Sequence, residues 1–150
     1  MNARRISRAV IAGLAGTTVM TAVALMGPLM GMPEMKTGEM LAGFMGIPVT
    51  IGWMAHFMIG SVLAVIYTTL FSARLPGASW ISGAIYGLIP WVVLQTMLSP
   101  MMGMGFFSFG SPAPVFILLG SLMGHLIYGA VVGAIDSTAM QSHRVPVAQR

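Results

Sequence analysis

His56 and His125 sit at matching points of one short pattern, MAHFMIG (Met54 to Gly60) and MGHLIYG (Met123 to Gly129). Imidazole is the side chain that carries protons near neutral pH and ligates metals through a neutral ring nitrogen. Both copies lie in apolar runs long enough to cross a bilayer. An ionisable group at that depth is costly, so it reads by default as a functional site. Two rings facing one axis could share a metal or a haem iron between helices, a usual place for cofactors in bundles. Gly60 and Gly129, each four residues beyond its histidine, would leave room for a flat macrocycle. Methionine supplies a second donor type, with 16 in the chain. Thioethers are soft ligands that select Cu(I). Met30, Met32, Met101 and Met102 gather near one end of the apolar runs and, with His56 and His125, make a candidate copper set. The plainer alternatives are polar glue between helices for the histidines, about 1 kcal/mol each, and apolar gap-filling for the methionines. A haem would also need partners for its propionates, and that end offers only Lys36.

The rest of the inventory excludes most chemistry. The only carboxylates are Glu34, Glu39 and Asp136, none deep in an apolar run, so no carboxylate relay crosses the membrane. No nucleophile–base–acid set and no phosphate-binding glycine loop can be assembled. There is no cysteine, which removes disulfides and thiolate sites. No catalytic residue is assigned. The first reading is a non-enzymatic membrane protein with a structural, binding or transport role. A b-type haem electron-transfer protein is second and a Met/His copper binder third; a proton- or quinone-linked role for the histidines stays open.

The elements that must position the histidines follow from hydropathy. Of 150 residues, 57% are hydrophobic and 7% charged, far below the charge that a soluble domain carries. Four runs stand out, Ala9–Met30, Val49–Phe71, Trp80–Met102 and Ala113–Ile135. Each approaches the roughly 20 residues that span a bilayer as a helix. The expectation is one integral membrane domain over residues 1–150, all-α, a four-helix transmembrane bundle with the lipid bilayer as its partner. The first run has signal-peptide features but is longer than a signal core, so it reads as a retained span. With the N-terminus inside, Arg4, Arg5, Arg8, Arg74, Arg144 and Arg150 are cytoplasmic and only Lys36 is outside. The positive-inside rule therefore places both termini in the cytoplasm. The net charge of +4 is scattered over span ends, so nucleic acid is excluded as a partner.

The runs also repeat. GPLMGM (Gly27 to Met32) ends the first and SPMMGM (Ser99 to Met104) ends the third, and the two histidine motifs recur at nearly the same offset. The unit is a helical hairpin, so two parallel hairpins related by an axis along the membrane normal are expected. Pro28 and Pro100 should end their helices, and Pro90 should kink the third. Gly83 and Gly87, Gly120 and Gly124, Gly129 and Gly133, and Gly60 with Ala64 form small-xxx-small faces. These serve packing inside the bundle first, with a homo-oligomer as the further possibility. Trp53, Trp80 and Trp91 read as interfacial anchors, Trp80 best of all. The polar segment GMPEMKTGEMLAGFMG cannot cross; Leu41, Phe44 and Met45 mark one side of a short interfacial helix. The aromatic loop GFFSFGSP (Gly105 to Pro112) is placed at the headgroups.

The combination IAGLAGTTVMT, a Pro-Met-Gly turn, GWMAHFMIG, GAIYGLIPW and GSLMGHLIYGAVVGAI resembles a family of small bacterial four-span membrane proteins of unknown function, over approximately Ile11 to Ile135. The resemblance implies an inner-membrane location and brings no catalytic residue.

Overall fold

In lipid a helix satisfies its own backbone, which is why an apolar chain of this kind folds as helices. The computed structural model describes the backbone of residues 3–141 and, Met30 aside, the side chains of residues 3–136. Among the described residues there is no strand. The helices are α1 (Ala3–Leu25), α2 (Thr37–Met45), α3 (Val49–Ile66), α4 (Ser79–Val93) and α5 (Pro114–Gln141). With their terminal turns, four are long and apolar enough to cross a membrane: Ala3–Leu29, Val49–Phe71, Ser79–Met101 and Pro114–Asp136. The last three fall where the apolar runs put them. The first begins at Ala3 rather than Ala9, because hydropathy marks the hydrocarbon and not the helix end. Arg4, Arg5 and Arg8 therefore lie on α1. Arg144 and Arg150 lie outside the described residues.

The bundle is an all-α one. α1 packs on α3 and on α5, α5 packs on α4, and the short α2 lies along α3. Its interior is small and partly polar, while large apolar residues such as Ile11, Met54, Met58, Val92 and Leu119 point outward. That inversion suits lipid, where close backbone approach rather than hydrophobic exclusion holds helices together. On α3 the buried face is Gly52, His56, Gly60 and Ala64, one residue every turn. Gly13 of α1 sits on Gly60 and Ser61; a Cβ there would lie 2.6 Å from the Ser61 Cα. Gly83 of α4 makes the corresponding contact with Gly129 and Gly133 of α5. The small-residue faces that pack the hairpins are thus used within the chain.

Below the histidines, toward the end bearing Arg74, lies a layer of tyrosine. Tyr67, Tyr86 and Tyr128 are buried with Ala12, Ala64 and Val132. These are all the tyrosines of the chain, and each hydroxyl donates to a backbone carbonyl. Tyr128 reaches Gly60 at 2.6 Å, Tyr86 reaches Leu63 at 2.8 Å, and Tyr67 reaches Ser79 at 3.4 Å. The bonds from Tyr128 and Tyr86 tie α5 and α4 to α3. A buried phenol without a partner would cost more than its ring gains, so these bonds fix the stacking of the helices.

Pro28 and Pro100 fall in the last turns of their spans. α1 ends at Leu25 and a 3₁₀ turn, Gly27–Met30, carries Pro28 in its first positions. Pro100 opens the last helical turn, Ser99–Met101. Pro90 lies inside α4 and is followed by a π turn, Leu94–Leu98, which the sequence does not announce. Two tryptophans correct the anchor reading. Trp53 lies over Gly38 of α2 and edge-on to His56, with ring centroids 6.0 Å apart. Trp91 donates to the Ser121 hydroxyl at 3.2 Å. Both indoles face protein, because α2 and α5 offer them a glycine and a hydroxyl; Trp80 is 56% exposed at the start of α4. α2 presents Phe44 and Met45 outward and buries Gly38 and Ala42, the amphipathic turn expected of an interfacial helix.

Candidate functional site

The tyrosine bond sets the level of both histidines. Tyr128 and Gly60 touch, His125 is three residues before Tyr128, and His56 is four before Gly60. At 1.5 Å rise per residue both imidazoles stand about 5 Å from that bond, on the same side of it.

Their tethers differ. His56 Nε2 meets the Thr21 hydroxyl of α1 at 3.1 Å, a bond between helices. Trp53 and Phe57 stand edge-on to the ring, and the residue is buried. His125 Nδ1–H donates to the Ser121 carbonyl of its own helix at 2.8 Å. A carbonyl can only accept, so this fixes the proton on Nδ1 and leaves a lone pair on Nε2. Each ring is therefore held through one nitrogen, and neither His56 Nδ1 nor His125 Nε2 takes a protein partner among the described residues.

From Ser121 a buried polar chain runs toward the end bearing Lys36. The Ser121 hydroxyl donates to the Leu118 carbonyl and accepts from Trp91 and from Gln95 Nε2, the latter at 2.8 Å. Gln95 Oε1 accepts from Ser108 at 2.9 Å and from Ser99 at 3.4 Å. Gln95, Ser99 and Ser108 are each 1% exposed. Gln95 reaches them from the π turn, whose wider coil turns this residue inward; such turns recur at functional sites. Ser108 is held in the left-handed region at φ 60, next to Phe107 at φ 52. The loop accepts this strain because Ser108 bonds Gln95 and Phe107 packs edge-on to Trp91 at 6.2 Å. Phe106 and Phe109 remain exposed.

The glycines do not hold open space. A Cβ on Gly60 would collide with the Thr17 hydroxyl, and one on Gly129 with the Gly83 carbonyl. Helix backbone and threonine fill the slot that a macrocycle would need, so the sequence reading of Gly60 and Gly129 as cofactor room is corrected. Of the four methionines proposed as metal ligands, Met101 is 66% exposed beyond the bundle and Met32 and Met102 are half-buried in the end loops. The Met30 side chain lies outside the described residues. Two methionines outside that set lie against α5. Met20 of α1 packs against Gly124, the neighbour of His125, and Met35 packs against Gly120 one turn away. Among the described residues no three His, Asp, Glu or Cys side chains converge as a metal cluster.

The fold and this polar interior define a multi-pass membrane protein: an all-α bundle with four helices able to cross a bilayer and a pair of imidazoles among them. The chain belongs to a family of unknown function, DUF6789, which it matches over residues 3–146. No curated protein and no solved structure matches it.

Proposed function

We propose that this protein is a bacterial inner-membrane protein with both termini cytoplasmic, built from two copies of one hairpin, whose role is binding rather than catalysis. Its site is the pair His56 and His125, opening toward the outer side. The observation that carries this reading is the tethering of both rings at one level, each through one nitrogen, with the other nitrogen left for a ligand. Tethering of this kind orients an imidazole and raises its basicity as a ligand. Two further facts support the sidedness. The described arginines Arg4, Arg5, Arg8 and Arg74 gather at one end, while Lys36 stands at the other between Glu34 and Glu39. The buried polar chain leads from His125 to the Lys36 end and not to the arginine end. The two hairpins close through corresponding glycines about 70 residues apart, as expected of a duplicated unit. The haem alternative finds no slot beside Gly60 or Gly129, which leaves a small ligand as the better fit.

The chain has no cysteine, so single cysteines report without background. His56→Cys and His125→Cys should react with a membrane-impermeant thiol reagent added to spheroplasts and not with the same reagent added to inside-out vesicles. Lys36→Cys marks the outer face in parallel. Labelling from the cytoplasmic side alone, or no labelling of either folded variant, would overturn the site.

A further inference from the structure

We propose that His56, His125 and the thioether of Met20 bind a soft monovalent metal ion of the Cu(I) class inside the bundle. The inference rests on the outward-opening histidine site and names its ligand class. Three observations lead to it. First, both imidazoles are posed as ligands, with one nitrogen held and one unshared. Second, Met20 precedes Thr21, the partner of His56, and its side chain lies in the recess at Gly124, next in sequence to His125. A Cβ at Gly124 would stand 3.3 Å from the Met20 Cγ and 3.9 Å from its sulfur. Glycine at this position is what lets the thioether lie against α5 at the level of the histidines. Gly120 does the same for Met35 one turn nearer the Lys36 end. These two glycines thus differ from Gly83 and Gly129, whose missing side chains make room for helix backbone. Third, the surroundings hold no carboxylate: Glu34, Glu39 and Asp136 lie at span ends.

That donor set discriminates. Mg²⁺ and Ca²⁺ require several oxygen ligands, carboxylates foremost, and the site has no carboxylate. Zn²⁺ would bring two charges into a low-dielectric interior with no anionic ligand to offset them. Cu(I) and Ag(I) bring one charge, accept low coordination numbers and favour imidazole and thioether donors. The site also differs from one built on the loop methionines Met32, Met101 and Met102, which are spread over two loops at the bundle's end.

The test uses the full-length protein in detergent, with Ag(I) as a redox-inert probe and Cu(I) held reduced in an anaerobic competition with a chromophoric chelator. One ion should bind per chain, while Zn²⁺ and Mg²⁺ should not compete. His56→Ala and His125→Ala should each abolish retention. Met20→Leu, nearly isosteric, should weaken affinity about tenfold with the thermal unfolding midpoint unchanged. Met101→Leu with Met102→Leu should change neither. X-ray absorption at the bound ion should report nitrogen and sulfur neighbours together. Failure of the folded wild-type protein to retain either ion overturns the proposal, even where cysteine labelling upholds the open site. Retention that survives loss of both histidines, or a Met20→Leu variant with unaltered affinity and nitrogen-only coordination, overturns it too.

Discussion

In the first hairpin the histidine bonds across to the neighbouring helix, His56 to Thr21, and an indole and a phenyl ring close around it. In the second the histidine bonds to its own helix, and the neighbour is reached through Ser121, Trp91 and Gln95 instead. The helices of both hairpins meet at corresponding glycines, Gly13 with Gly60 and Gly83 with Gly129. They differ at two π turns, Leu94–Leu98, which α1 lacks, and Tyr67–Phe71, which α5 lacks. One hairpin packs aromatic rings around its histidine; the other carries a hydroxyl and amide chain to its loop. The two hairpins share the glycine contacts that close them and differ in how their histidines are held.

The contrast can be broken most forcefully at the glycines. Gly129→Ala places a methyl on the Gly83 carbonyl, which is backbone and cannot step aside, so a loss of about 3 kcal/mol is expected. Gly60→Ala meets only the Thr17 hydroxyl, which has no hydrogen-bond partner. Its loss should be smaller, about 1–2 kcal/mol, and Thr17→Ala should restore most of it. Reversible unfolding in mixed micelles measures both. Equal losses, or no rescue by Thr17→Ala, would show that the two seams are not closed in the way described.

Next in size is Gln95→Leu. It removes the partner of Ser99, Ser108 and Ser121 together, for about 2 kcal/mol. Amide hydrogen exchange should rise in the loop around Phe106–Ser108 and stay unchanged in α2. An exchange pattern indifferent to the substitution would mean that the loop is held by its aromatic contacts instead. The smallest effect belongs to Thr21→Val, about 0.5–1 kcal/mol, since a single interhelical bond in lipid has that scale. Histidine ring resonances sharpen the comparison here. Thr21→Val should move those of His56 and leave the Nδ1–H of His125 in place.

How much of this was legible beforehand follows the physics of each signal. The spans, the helix-ending prolines and the histidine motifs were readable, because hydropathy and spacing survive without a partner. The glycine pairs were readable as packing faces, though not which of them face backbone and which face thioethers. Gln95 was not, since a lone amide in an apolar run gains meaning only from Ser99, Ser108 and Ser121, which the fold brings from the next helical turn, a loop and another helix. Thr21 was hidden because a threonine in a membrane helix ordinarily bonds the carbonyl four residues back, as Thr18 does to Leu14. Met20 was lost among 16 methionines. A sharper signal was present in Gly120 and Gly124, whose counterparts on α3 are Ile51 and Ala55.

The tyrosine layer bears on what kind of vessel this bundle is. Water or an ion passing the imidazoles toward the arginine end would have to unseat three phenols, each anchored to a helix carbonyl. It would also have to part Ala64 and Val132, which have no exposed surface at all. In this conformation the three phenols and the Ala64–Val132 contact shut the interior toward the arginine end.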